Sequence, residues 1–529
     1  MSARWMLLAL SLLFQVAPAG APVSTSTQAA PGAGTVRDCA SAAGVDFSAI
    51  PDAPTHIKSA QRVEATEVVP AHCLVRGYIA PQVGIELHLP LQGWNGKFLE
   101  VGCGGYCGVF FSTHCHGPLR RGYACIASNM GHDSTATDAK WAYNDLQAQI
   151  DWAYRATHVA AVAGKAITEW FYSQGPSRSY YTGCSTGGRQ GLIAAQRFPD
   201  DFDGIVAGAP VVYFASYPLD LLWPLQALTG ADGNFVLSKA DARLLHDAVL
   251  AQCDLDDGVK DGVIGNPLAC RFDPAELQCR RGRSNACLTE SQVRAVQSVY
   301  AGPKVTNARR AYPQGAIPGS ELNWVSDQLS FTSTGRDLVL EGFRYMIFMP
   351  APGPTWNLGQ FDFNKDVART NLFAALASAN NPDLREFAGR GGKLISYFGW
   401  QDPSPPEVVD YYETVERTMG GRDATQDFFR LFMVPGMDHC TGGAGPFAID
   451  YLSYLEDWVE KGKAPDVMIG AHVPKATGPE PARELIFPLD PSIPVTFTRP
   501  VYPYPIRAVY SGAGDPNDAA SFVPADVPQ

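Results

Sequence analysis

Short apolar runs rich in aromatic and β-branched residues recur along this chain at 97–101, 123–128, 179–182, 205–207, 393–400 and 429–434. Runs of that length and composition predict β-strands. Ile85, Leu87 and Leu89 alternate with polar residues, and the turn Gly93-Trp94-Asn95-Gly96 leads into 97–101. Both segments read as strands at the edge of a sheet. Between strands, residues 151–171 place Val159, Val162, Ala166, Ile167, Trp170 and Phe171 on one helical face, and a second helix runs from Gly188 until Pro199 closes it.

Alternating strand and helix argues for a mostly parallel sheet covered on both faces. The alternation breaks off near Pro210 and resumes at Lys393. The roughly 180 residues between are far too many for one crossover and predict an inserted lid. The expected division is a core of 22–210 with 393–529 and a lid of 211–392. After Lys463 the chain is proline-rich and reads as an extended wrap with little regular structure.

The 529 residues, 46% hydrophobic and 18% charged, are enough to fill a core of ordinary globular type. A net charge of −12 argues against nucleic acid or an anionic membrane as partner, since both demand basic patches. At the N-terminus, Arg4 precedes a mostly apolar run over 5–16, followed by Ala17-Pro18-Ala19 and Ala19-Gly20-Ala21. The run is too short to span a bilayer, so 1–21 predicts a cleaved secretory signal and a secreted or periplasmic protein.

In an exported chain, twelve cysteines imply disulfides. Cys103, Cys107, Cys115 and Cys125, with His114 and His116 nearby, offer zinc as the rival, but their irregular spacing and an oxidising compartment favour bridges.

One stretch carries chemistry. Gly183-Cys184-Ser185-Thr186-Gly187 stands between a strand and a helix, the context in which G-x-S-x-G lifts a serine onto a strained turn. A serine hydroxyl needs a base to take its proton, and the base needs an acid to fix its tautomer. Asp402 and His439 follow the 393–400 and 429–434 strands in the order Ser, acid, His of an α/β-hydrolase. Asp438 is a poor rival, because an adjacent side chain rarely turns back to its neighbour's ring. His132 is the other histidine to watch.

Gly102-Cys103-Gly104-Gly105 leaves an early strand where that fold presents an oxyanion N–H; a plain turn is the alternative. Thr186 and a glycine of the Gly104–Gly105 turn are the expected donors. Cys184 and Cys440 flank Ser185 and His439, so serine and histidine within reach of each other would bring these cysteines to bridging distance. Residues 253–263 hold Asp254, Asp256, Asp257 and Asp261; taken alone they read equally as a calcium loop or as a solvated turn.

The pattern Cys184-Ser185, Asp402, His439-Cys440 resembles the tannase and feruloyl esterase family. Residues 94–99, the glycine loop, 150–158, the serine elbow and Ala207-Gly208-Ala209-Pro210 share in the resemblance, which spans nearly all of the mature chain. It implies an α/β-hydrolase core with a large inserted lid and a serine esterase acting on feruloyl, hydroxycinnamoyl or galloyl esters. It also implies a lid calcium on the side chains of Asp254, Asp257 and Asp261 and the carbonyls of Val259 and Val263, with no organic cofactor. The family-like pairings are Cys184–Cys440, Cys39–Cys73, Cys253–Cys270 and Cys279–Cys287. A family cysteine is replaced by Tyr502, and its partner near Val523 is missing as well. Cys103, Cys107, Cys115 and Cys125 leave three connectivities open. Lid aromatics Trp223, Trp324, Tyr345, Trp356 and Phe361 are candidates to clamp a planar acyl group, against the alternative that they form the lid's own core. Arg336 or Arg344 would meet a substrate carboxylate. The rival functions are a terephthalate monoester hydrolase, a peptidase and a catalytically silent exported binding protein. Assembly state is not legible.

Overall fold

In the computed structural model, residues 36–214, 216–280, 286–303, 315–325, 334–402, 405–474, 487–489 and 491–526 are described. The predicted signal segment lies outside them. Nine strands form one sheet: β1 (Thr55–Val63), β2 (His72–Ile79), β3 (Val83–Pro90), β4 (Lys97–Val101), β5 (Ala124–Ser128), β6 (Arg178–Cys184), β7 (Gly204–Gly208), β8 (Lys393–Gly399) and β9 (Phe429–Val434). Their order is β1-β2-β3-β5-β4-β6-β7-β8-β9. The pairs from β1 through β3 to β5 are antiparallel, and those from β5 across to β9 are parallel.

The central strands are buried and mostly apolar because both faces are covered. Successive residues report to opposite cores: Phe98, Tyr181, Ile205, Leu394 and Leu431 to one, Leu99, Tyr180, Val206, Ile395 and Phe432 to the other. Four long helices frame the sheet: α1 (Ala156–Tyr172), α2 (Thr186–Arg197), α3 (Pro405–Met419) and α4 (Tyr451–Lys461). Leu455 and Trp458 of α4 belong to the second core.

Three expectations change. The segments 83–90 and 97–101 are not edge strands: every residue of β3 is buried, and β4 lies between β5 and β6. The hairpin β1–β2, whose outer strand β1 carries little hydrophobic signal, extends the sheet past β3. Alternation in β3 reflects buried polar residues that are paired, Glu86 with Arg76 at 2.6 Å and His88 with His72 at 3.2 Å. The helix expected over 151–171 begins earlier, with Leu146–Ile150 capped by Asp145 and a π-turn Asp151–Arg155 leading into α1. The C-terminal wrap holds two hairpins, β10 (Met468–His472) with β11 (Phe497–Val501) and β12 (Arg507–Tyr510) with β13 (Phe522–Ala525).

Residues 209–392 leave the sheet after β7 and return at β8, so the molecule is an α/β-hydrolase core carrying a large insertion. The chain crosses from β4 to β5 on one side and returns to β6 on the other. That reversal makes the β4–β6 crevice the place where such sheets bind ligands.

Candidate active site

Parallel register brings the predicted residues to that crevice. Val101 pairs with Thr182, Cys184 with Gly208, Gly208 with Tyr397, and Gly399 with Val434, so the loops after β4, β6, β8 and β9 leave the sheet at one end. Ser185 occupies the single residue between β6 and α2, with φ +64° and ψ −121°. Such a backbone is strained for any residue with a side chain and persists only where its surroundings impose it. Here the Ser185 N–H donates to Gly208 O at 2.9 Å, and a Cβ at Gly183 would lie 2.8–2.9 Å from Gly187 backbone atoms.

Asp402 is buried, and its Oδ2 stands 2.6 Å from Nδ1 of His439. Burial lowers the imidazole, but Asp402 and Asp438 outweigh it and the His439 pKa rises above its ordinary value. Asp438 itself accepts from Nδ2 of Asn323 at 2.9 Å, on the insertion. Ser185 and His439 line the same cavity of about 420 Å³. The Cys184–Cys440 disulfide joins their neighbours, with an S–S distance of 2.07 Å and Cα atoms 5.9 Å apart.

The loop after β4 closes the cavity beside the serine. Within it the N–H groups of Cys103, Tyr106 and Cys107 are taken, by Gln190 Oε1, Ala136 O and Gly104 O. The N–H groups of Gly104 and Gly105 have no acceptor among the described residues, nor does that of Thr186, which opens α2. Gly105 has φ +57°, and a Cβ there would meet Ala136 O at 2.2 Å. The Thr186 hydroxyl donates to Gly105 O at 2.6 Å, stitching the loop to the helix.

Two residues of α2 escaped the sequence reading. Gln190 accepts from Cys103 N and from the Tyr181 hydroxyl, and its Nε2 donates to Cys103 Sγ at 3.1 Å. Arg189 is fully buried, stacks on Trp152 and donates to the carbonyls of Trp152, Ala153 and Ala377. Burial lowers its pKa to about 9. The π-turn turns those first two carbonyls toward it, which no local pattern announces.

The open cysteine question resolves into Cys103–Cys107 and Cys115–Cys125, removing the zinc rival. Cys39–Cys73, Cys253–Cys270 and Cys279–Cys287 are bridged as well. His132 is structural: it is buried, stacks on Trp141, has Nε2 2.9 Å from Tyr106 O, and burial lowers its pKa to about 4.

The five lid aromatics do not reach the cavity; they are core of the insertion. Trp356 and Phe361 pack on Phe343, Trp223 on Phe363, Trp324 on Tyr300, and Tyr345 on Tyr143. Instead Tyr106, Phe111, Phe214 and Tyr217 line it, with Val211, Leu338 and Val339. Arg344 is spent on Trp356 O and Glu341, and neither it nor Arg336 lines the cavity.

In the acidic loop, Asp254 and Asp257 are buried. Asp254 Oδ1 accepts from Gly262 N at 3.0 Å, Asp257 from Val259 N at 3.0 Å, and Asp261 from Val263 N at 3.0 Å. Asp261 is also paired with Arg499 at 2.6 Å. Burial, reinforced by Asp261 and Asp254 and opposed by the Val259 N–H and Arg499, pushes Asp257 up to about 7. Carboxylates and main-chain carbonyls are the ligand types a hard, oxygen-preferring cation takes. Among the described residues, however, no three acidic, histidine or cysteine side chains are grouped so as to hold a metal ion.

The family model described as tannase and feruloyl esterase matches residues 66–525. An uncharacterised esterase of Xanthomonas campestris pv. campestris is 33% identical, covering 96% of each chain. The mono(2-hydroxyethyl) terephthalate hydrolase of Piscinibacter sakaiensis is 34% identical over 89% of this chain and 87% of its own. The crystal structure of feruloyl esterase B from Aspergillus oryzae superposes with a TM-score of 0.77 at 30% identity, covering 89% of this chain and 97% of that one.

Proposed function

The chain belongs to the tannase and feruloyl esterase family and is a carboxylic ester hydrolase, and from that premise we propose that it is an exported serine esterase for neutral esters of aromatic acids, of feruloyl, hydroxycinnamoyl or galloyl type. The observation that carries the reading is the shared cavity of Ser185 and His439, with Asp402 bonded to the far side of the imidazole. His439 takes the proton of Ser185 as the oxygen attacks the ester carbonyl. The N–H groups of Thr186 and of a glycine in the Gly104–Gly105 turn hold the oxyanion. His439 then protonates the leaving alcohol, and water, activated by the same imidazole, releases the acid from the acyl-enzyme. Six disulfides support an oxidising, extracytoplasmic location.

The described lining includes no arginine, lysine or carboxylate. An anionic acyl group would be desolvated there without a partner, which ranks terephthalate half-esters below neutral aromatic esters. The test is a panel of methyl ferulate, methyl gallate, chlorogenate, a terephthalate monoester and peptides. A terephthalate monoester or a peptide turned over fastest would overturn the assignment.

Because only neutral His439 accepts a proton, kcat/KM must fall as pH drops through its raised pKa. The acid limb is expected above the ordinary imidazole value of about 6.5. Asp402→Asn should move that limb down and cut kcat by about 10⁴, as expected for a base held in the wrong tautomer. Asp438→Asn, which removes a more remote charge, should shift the limb downward with little loss of rate. A limb unmoved in Asp402→Asn would separate Asp402 from His439 function.

For the acidic loop we propose structural calcium, held by the side chains of Asp254, Asp257 and Asp261 and the carbonyls of Val259 and Val263. The ion would offset three crowded carboxylates and brace the insertion against the C-terminal wrap through Asp261 and Arg499. Chelation should then lower the melting temperature by several degrees, reversed by Ca²⁺, and Asp257→Asn should abolish the response. A melting curve indifferent to both chelator and Ca²⁺ would remove the ion.

A further inference from the structure

Phe111 and His114 form part of the cavity wall next to the oxyanion loop. A Cβ at Gly104 would meet the Phe111 ring at 3.7 Å, and the His114 ring follows with its centroid 5.4 Å from that of Phe111. Both side chains line the cavity that holds Ser185. The short 3₁₀ turn Ser112–Cys115 is pinned at both ends. Ser112 donates to Glu86, itself fixed by Arg76, and Cys115 is bridged to Cys125 on β5. A side chain on so constrained a turn is presented in one place.

His114 differs from its surroundings. The walls about it are apolar, and the polar side chains beside the serine are spent: the Tyr106 hydroxyl on Leu338 O, the Thr186 hydroxyl on Gly105 O. The His114 ring has no hydrogen-bond partner among the described residues. Burial, and then the nearby His116, lowers its pKa to about 4, so at neutral pH the ring is an uncharged imidazole with one N–H and one bare nitrogen. Such a group pairs with a hydroxyl in either direction but offers nothing ionic to a carboxylate.

We propose that His114 is a specificity-determining residue that hydrogen-bonds a phenolic hydroxyl on the ring of the bound aromatic ester. The proposal rests on the aromatic-ester reading above. It assigns the subsite to neutral, ring-hydroxylated acyl groups such as hydroxycinnamoyl or galloyl, over the same acyl group without its hydroxyl. Tyr217, another polar side chain that lines the cavity, is the competing reader.

The test compares kcat/KM for methyl cinnamate and its 3-hydroxy and 4-hydroxy derivatives. The wild type should prefer at least one hydroxylated ester by about tenfold, the size of one hydrogen bond made to an otherwise unpartnered group. His114→Phe should bring that ratio to near one while leaving methyl cinnamate within about twofold of wild type. His114→Gln should restore part of the preference, and Tyr217→Phe should leave it. A preference that survives His114→Phe, or that Tyr217→Phe abolishes instead, overturns the proposal, as does a wild type indifferent to the hydroxyl. Failure of the wild type on all three esters overturns the aromatic-ester reading itself and is distinguishable from indifference. Melting temperatures of each variant separate loss of recognition from loss of fold.

Discussion

Ser185→Ala is expected to lower kcat by about five orders of magnitude on whichever panel ester the wild type turns over fastest, with KM and melting temperature nearly unchanged. The size follows from the mechanism, because among the described residues no other hydroxyl is delivered to the cavity on a strained turn beside His439. Stability should hold because what imposes φ +64° is the backbone: the Ser185 N–H on Gly208 O and the contact of Gly183 with Gly187. Alanine meets the same constraint with a smaller side chain. A fluorophosphonate probe should label the wild type once and the variant not at all. A variant that keeps more than about a tenth of wild-type turnover would remove Ser185 from the chemistry. Labelling of the variant elsewhere would do the same.

The order of strands and turns around Ser185, Asp402 and His439 was legible because each lies just past a short apolar run, where period and turn chemistry are local signals. What escaped depends on long-range packing. Strand β1 carries Lys58, Gln61 and Arg62 and is half open to solvent, and so lacks the buried pattern that betrays β6 or β8. Gln190 and Arg189 carry no local sign of burial: they are buried only because the oxyanion loop and the π-turn close on them. The lid aromatics show the opposite error. Trp356 and Phe361 are the residue types a planar ligand would want, yet aromatic side chains are first of all large apolar bodies, and a long insertion needs a core of its own. The cavity is lined instead by residues such as His114 and Tyr217, whose proximity only the folded chain supplies.

The double variant Cys184→Ala with Cys440→Ala should be less stable than the wild type and, well below its melting temperature, slower by about a hundredfold in kcat at similar KM. Two separate effects are at work. Closing a loop of 256 residues constrains the unfolded chain, and loop-closure entropy sets a ceiling of about 5 kcal/mol on that contribution. The other effect is positional. His439 sits in the loop between Gly436 and Gly445, where Met437 bridges Gly443 and Cys440 takes φ +67°. Without the disulfide that loop keeps Asp402 on Nδ1 and Asn323 on Asp438. Both of those contacts hold the imidazole to the acid side of the site and neither holds it to the serine. The bridge is the covalent tie between base and nucleophile, and a misplacement of about 1 Å between reacting groups costs about a hundredfold. The acid limb of the pH profile should therefore stay where it is, because the Asp402 contact survives, while the plateau falls. A limb that moves with the plateau would show that the bridge acts by holding His439 against Asp402. A plateau that does not fall would show that the loop alone is enough to aim the base.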